Sequence, residues 1–276
     1  MRINNNIMSM NAHRQLNINN NNGARSMEKL SSGMRINRAG DDAAGLSISE
    51  KMRGQIRGLK QASRNAQDGI SMIQTAEGAL NESHAILQRM RELVVQAGNG
   101  TNESEDLTAI QNELSALIEE LGGETGSKGI SDRTEFNGQN LLGGSLNVDF
   151  QIGANSGQQV NLTVSSMSAN GLGVDGIDVA ASTFSFDATI TLIDTAIETV
   201  SEERSKLGAL QNRLEHTIAN LDNASENLQA AESRIRDVDM AAEMMEFTKN
   251  NILSQAATAM MAQANMAPQS VLQLLG

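Results

Sequence analysis

A chain of 276 residues has room for about two domains, and although 39% of its residues are hydrophobic, only 2% are aromatic: five Phe, no Trp and no Tyr. The net charge of −12 argues against nucleic acid and anionic membranes as partners, because both select an excess of Lys and Arg. The absence of cysteine excludes disulfides, thiolate metal ligands and thiol nucleophiles, and the scarcity of aromatics is unlike the wide core of a globular enzyme.

The N-terminus, Met1-Arg2-Ile3-Asn4-Asn5-Asn6, has no apolar h-region, so a cleaved secretory signal is not expected. In residues 1–40, Ile3, Ile7 and Met10 give one helical stripe, which Asn19–Asn22 interrupts. Asn is a poor helix former, so the segment is expected to order only against partners. A loop follows at Asn37-Arg38-Ala39-Gly40-Asp41-Asp42, with Asp41 or Asp42 as the N-cap of the next helix; Ser47 and Glu50 repeat the capping-box spacing one turn later.

From Ala43 to Ala97 the helical pattern carries two stripes. One runs through Ile56, Leu59, Ser63, Ala66, Ile70, Ile73, Leu80, Leu87 and Val94; the other through Ala76, Ala79, Ile86, Met90, Leu93 and Ala97. Two stripes imply two neighbours. Gly54, Gly58, Gly69 and Gly78 each cost roughly 1 kcal/mol against Ala in a helix and are read as points of close helix approach. Gly98-Asn99-Gly100 ends the pattern. Asn102 with Glu105 is expected to cap a shorter helix through Leu107, Ile110, Leu114, Leu117, Ile118 and Leu121, closed by Gly122-Gly123. Residues 124–188 are richer in Gly and Ser. Alternation at Leu146, Val148, Phe150, Ile152 and at Val160, Leu162, Val164, around the turn Asn155-Ser156-Gly157, predicts a β-hairpin. It is read as a knob beside the helices.

Thr189–Met266 contains no proline and one glycine, Gly208. Ile190, Ile193, Ile197, Val200, Leu207, Leu210, Leu214, Leu221, Ala224, Leu228, Ala231, Ile235 and Val238 keep a mean spacing of about 3.5 residues, with Thr217 in one slot. So narrow a seam needs a partner helix along its length. After Arg236-Asp237-Val238-Asp239 the pattern widens: Met244, Met245, Phe247, Ile252, Leu253, Ala256, Ala257, Met260, Met261 and Met266 occupy most of the circumference. A helix apolar all round needs burial on all sides, and other copies of the chain could supply it. The fold expected is mainly α: a coiled-coil-like helical rod with N- and C-terminal helices paired, plus a small β-hairpin region.

Catalytic chemistry finds no support. His13, His84 and His216 are isolated in sequence, and no zinc-protease, nucleophile-elbow, P-loop or dinucleotide signature occurs. Asp41-Asp42 reads as helix capping. Glu202–Lys206 and Glu232–Arg236 have the spacing of ion pairs on solvated helix faces. No run of 18 apolar residues exists, so no membrane-spanning helix is expected. Neither a cofactor nor a metal is expected, and the chain is not read as an enzyme.

Four stretches resemble a known family. Glu28-Lys29-Leu30-Ser31-Ser32-Gly33-Met34-Arg35-Ile36-Asn37-Arg38-Ala39-Gly40-Asp41-Asp42-Ala43-Ala44-Gly45-Leu46 and Leu87-Gln88-Arg89-Met90-Arg91-Glu92-Leu93-Val94-Val95-Gln96-Ala97 are similar to the N-terminal part of bacterial flagellins, most closely those of Gram-positive rods. Ala230-Ala231-Glu232-Ser233-Arg234-Ile235-Arg236-Asp237-Val238-Asp239 and Ala262-Gln263-Ala264-Asn265-Met266-Ala267-Pro268-Gln269-Ser270-Val271-Leu272 resemble the C-terminal part.

The resemblance implies an inner-core D0-like domain from residues 1–42 and 236–276, largely unfolded in the monomer. It also implies a D1-like helical region at 43–235, including the 124–188 hairpin, with no D2 or D3 domain. It further implies a structural subunit of the extracellular flagellar filament, serving swimming motility and exported unfolded by the flagellar type III route. The implied partners are further copies of itself, an export chaperone and the export apparatus, filament cap and hook-junction proteins, and the host innate receptor TLR5, with no nucleic acid and no membrane insertion. The positions matching the family's receptor surface are Arg89, Leu93 and Glu113. The apolar positions expected to make the polymer are Ile3, Ile7, Met10, Phe247, Ile252, Leu253, Met260, Met261, Leu272 and Leu275. The rival readings are a cytoplasmic coiled-coil scaffold and a hook–filament junction protein.

Overall fold

The structure, a computed structural model, describes residues 6–122, 129–144, 146–181 and 184–275, with side chains as far as Met266. The chain forms two compact units, one of residues 1–55 and 226–276 and one of residues 56–225.

In the first unit, helix α1 (Ile7–Ser32) starts at Asn6, whose side chain accepts the Ser9 N–H, and stops at Gly33 in the left-handed region (φ 70°). It runs unbroken through Asn19–Asn22, contrary to the interruption expected there. The weak propensity of the four asparagines is overridden by packing against helix α7 (Met240–Leu275). The two helices are antiparallel. Asn6 Nδ2 donates to the Ala264 carbonyl at 2.8 Å, Ser254 Oγ donates to Asn20 Oδ1 at 2.9 Å, and Lys29 lies 3.8 Å from Glu243.

Helix α2 (Ala43–Ala97) is capped by Asp42, whose Oδ1 accepts the Gly45 N–H at 2.8 Å. Ser47 lies inside this helix, so its spacing with Glu50 starts nothing. Helix α6 (Phe186–Arg236) ends where the sequence reading divides the long run. In the first unit Arg53 pairs with Glu232, which replaces the expected Glu232–Arg236 pair.

In the second unit, the most deeply buried line of α2 passes through Ala66, Ile73, Ala76, Leu80, Ser83, Leu87, Met90, Val94 and Ala97. It takes members from both stripes, because α2 is enclosed by two neighbours. One is α6, with Ile193, Ala196, Val200, Leu207, Leu214 and Leu221 buried in the same core. Ser63 Oγ meets Asp222 at 3.3 Å and Arg91 Nε meets Asp194 at 2.7 Å. A 28-residue advance on α2 is thus matched by 28 residues back along α6, an antiparallel pairing without slip. Glu203 occupies a heptad position that an apolar residue would ordinarily fill. It is 2% exposed, pairs with Lys206 at 3.1 Å and accepts the Ser165 N–H at 3.4 Å. Lys206 therefore does not pair with Glu202.

The other neighbour of α2 is α3 (Ser104–Leu121), which buries Ile110, Leu114, Ile118 and Leu121. Its cap falls one residue later than expected. Glu103 is the N-cap and its N–H is accepted by Asp106, while Asn102 turns back to donate to the carbonyl of Gln96 at 2.6 Å. Gly122 (φ 94°) closes α3.

The segment after α3 contributes to the core and is no appended knob. Helix α4 (Ile130–Arg133) leads into strands β1 (Glu135–Phe136) and β2 (Gln139–Asn140), joined through Asn137-Gly138, both at positive φ. Strands β3 (Leu146–Gln151) and β4 (Gln159–Val164) form the expected hairpin, with Leu146 opposite Val164 and Gln151 opposite Gln159. After the one-turn helix α5 (Ala169–Leu172), Val174, Ile177 and Val179 pack inward. With Leu141, Leu142 and Met167 they join the same apolar cluster as α2, α3 and α6. The hairpin tip sits on α2, where Asn65 Nδ2 donates to the Gln151 carbonyl at 3.1 Å.

Candidate functional site

Hydrophobic burial is inverted in the α1–α7 pair. Among the described residues, no apolar side chain of α1, or of α7 as far as Met266, is fully buried; the buried ones are Ser26 and Asn250. Most of its large apolar side chains face solvent instead. Ile7 is 60% exposed, Met10 68%, Ile252 61% and Met260 58%, with Leu253 exposed less. Phe247 and Met261 are half-buried. Ile3 and the side chains of Leu272 and Leu275 lie outside the described residues. From Asn250 onward the sequence has no charged side chain, so no ionised group on that part of the helix opposes its removal from water. Each covered Leu, Ile or Met would contribute about 1.5–3 kcal/mol, which favours an apolar partner running along the pair.

The same unit contains a joint that sequence reasoning located only in part. Gly33–Arg35 and Arg236–Val238 form a short antiparallel bridge: Arg35 N–H donates to the Arg236 carbonyl at 2.7 Å and Val238 N–H to the Gly33 carbonyl at 3.0 Å. Arg35 Nη2 reaches the Ile235 carbonyl at 2.7 Å, and Asn37 Nδ2 reaches Ser32 Oγ at 2.8 Å. Asp41 accepts the N–H groups of Arg38 at 3.0 Å and Asn37 at 3.2 Å. The Arg38 bond first, and then the Asn37 bond, hold its carboxyl below the ordinary value. Asp239 caps α7 through Ala241 N–H at 2.9 Å. Ile36, 2% exposed, packs under Gly45, where an added Cβ would lie 2.8 Å from its Cδ1. Two stretches about 200 residues apart thus form one junction, and their separate capping signals do not reveal the pairing.

In the second unit, Arg89 donates to Glu113 across α2 and α3 at 2.7 Å and to Glu92 at 3.0 Å. Glu113 first, then Glu92, raises the guanidinium above its ordinary pKa. Both Arg89 and Glu113 are exposed, whereas Leu93 is 2% exposed and belongs to the core. The structure therefore brings Arg89 and Glu113 together on a surface and sets Leu93 beneath it.

Comparison with known proteins gives this arrangement a family. The bacterial flagellin N-terminal helical region matches residues 3–147 and the bacterial flagellin C-terminal helical region matches residues 190–275. The chain belongs to the flagellin family. Flagellin of Bacillus subtilis is 58% identical and flagellin of Halalkalibacterium halodurans 60% identical, each match covering all of both chains. The flagellar filament 33 kDa core protein of Treponema phagedenis is 49% identical over the full length of both. The family is one of structural subunits of the extracellular flagellar filament, self-assembling and not enzymatic, and the two matched regions contain the four stretches singled out in the sequence.

Proposed function

We propose that this chain polymerises through the exposed apolar faces of α1 and α7, with Ile7, Met10, Ile252, Leu253 and Met260 as principal contacts and Ile3, Phe247, Met261, Leu272 and Leu275 completing the inner core. The observation that carries this reading is the inverted burial of the α1–α7 pair. Segments 1–42 and 236–276 order fully when copies enclose them, and 43–235 surrounds that core in the assembled filament, which drives swimming. The chain leaves the cell unfolded by the flagellar type III route, its C-terminal helix held beforehand by an export chaperone. It meets cap and hook-junction proteins at the filament ends. Deletion of residues 240–276 tests the assignment: the second unit keeps its helical circular dichroism and no filament forms on seeds. Filaments from the truncated chain would overturn it.

A second reading rests on a different surface. The exposed Arg89–Glu113 pair supports docking of a protein receptor such as TLR5 on the monomer, with buried Leu93 shaping the surface from beneath. Substituting Arg89→Ala and Glu113→Ala together is expected to abolish receptor signalling by the monomer without unfolding it. Full signalling would refute this role.

A further inference from the structure

The methionines divide sharply between the two units. In the second unit all three, Met72, Met90 and Met167, are at most 3% exposed. In the first, Met8, Met10 and Met27 on α1 are 56–70% exposed. On α7, Met240, Met244 and Met245 are 48–69% exposed, and Met260 and Met266 are 58% and 62% exposed. The sequence contains no Cys, Trp or Tyr, so these thioethers have no readily oxidised competitor in the chain. Susceptibility to oxidation follows exposure.

We propose that the exposed methionines of α1 and α7 are a reversible oxidation site that controls assembly. The inference rests on the reading that other copies cover these faces. In the step, a thioether sulfur donates an electron pair to one oxygen of hydrogen peroxide. The S–O bond forms, the O–O bond breaks and the leaving hydroxide takes the proton of the transferred oxygen to depart as water, so sulfur loses two electrons and the peroxide gains two. The sulfoxide is polar and accepts hydrogen bonds, so an apolar interface between copies no longer gains from burying it. The second unit keeps its core because its thioethers lie out of reach. Reversal requires a methionine sulfoxide reductase: its dithiol gives two electrons and two protons to the sulfoxide, the S–O bond breaks, the oxygen leaves as water and the thiols become a disulfide. Assembly protects the same sulfurs, so the vulnerable form is the free monomer.

The test uses full-length monomer and sheared filaments of the same chain as seeds. Brief hydrogen peroxide treatment is expected to add oxygen at the α1 and α7 methionines and not at Met72, Met90 or Met167, read by peptide mass spectrometry. Circular dichroism should be unchanged and seeded elongation at least ten-fold slower, with full recovery after reductase treatment. A variant with Leu in place of all eight, Met8, Met10, Met27, Met240, Met244, Met245, Met260 and Met266, conservative in volume, is expected to retain most of its elongation after peroxide. Oxidised wild type that elongates at the untreated rate, or that reductase fails to restore, would overturn the inference. Equal loss in the leucine variant would also overturn it, by putting the damage elsewhere. Failure of untreated monomer to elongate would instead overturn the assembly reading beneath it.

Discussion

Four of the five glycines of α2, Gly54, Gly58, Gly69 and Gly78, make a controlled comparison. Gly54 and Gly78 have nothing within 4 Å of an added Cβ, so Ala there should stabilise by about 1 kcal/mol through helix propensity alone, or roughly 2 °C in Tm for a chain of this size. At Gly58 the added Cβ would stand 2.8 Å from the Ala154 Cβ and 3.2 Å from its Cα. The backbone of the β3–β4 tip would have to lift, and overpacking of this kind costs typically 1–3 kcal/mol. Gly58→Ala is therefore expected to lower Tm or leave it unchanged, the strain exceeding or cancelling the propensity gain. Gly69 meets only the ends of Phe150 and Leu214 side chains at 3.3–3.4 Å and should fall between. Adding Ala154→Gly to Gly58→Ala removes the nearer atom and should recover part of the loss. Thermal unfolding followed at 222 nm reads all five. If Gly58→Ala stabilises as much as Gly78→Ala, the hairpin does not rest on α2 and its account here is wrong.

Three further outcomes follow. Asp41 has a depressed folded pKa, so its contribution is complete above its unfolded value of 3.8 and is lost as pH falls through the lower folded value. Asp41→Asn should flatten that segment of the stability-versus-pH curve, and at neutral pH it should speed exchange of the Asn37 and Arg38 amides. Glu203→Leu restores an apolar heptad position and should be neutral or stabilising, while Glu203→Ala should cost about 1–3 kcal/mol by chemical denaturation. Gly45→Ala forces a Cβ to 2.5 Å from Asp42 Oδ2 and 2.8 Å from Ile36 Cδ1. Disturbing that cap should cost about 1–2 kcal/mol, read in the melting of the first unit.

The long seams were legible because heptads are local: Leu207, Leu214 and Leu221 announce their burial by spacing alone. The β3–β4 hairpin was legible for the same reason, through its alternation. Asn137-Gly138 is a strong turn signal, but its flanking strands are two residues each, too short to register as alternation. Glu203 was invisible because a charged residue in a seam reads as a gap. The joint was half legible: Asp42 carries a recognisable capping signal, yet nothing local links Arg35 to Arg236. Of the four glycines read as close approaches, Gly54, Gly58, Gly69 and Gly78, only Gly58 and Gly69 are such, since composition cannot tell a contact from an exposed helix face. Leu93 carried two readings, a surface contact through the resemblance and a place in the second apolar stripe of α2, and its 2% exposure agrees with the stripe.

The central claim is that the outward apolar faces of α1 and α7 are covered by other copies of the chain. The most direct measurement is seeded elongation of an Ile252→Glu, Met260→Glu variant, followed by electron microscopy. Both side chains are largely solvent-exposed in the monomer, so the account predicts unchanged helical circular dichroism and no growth on seeds. Filaments growing at the wild-type rate would contradict it.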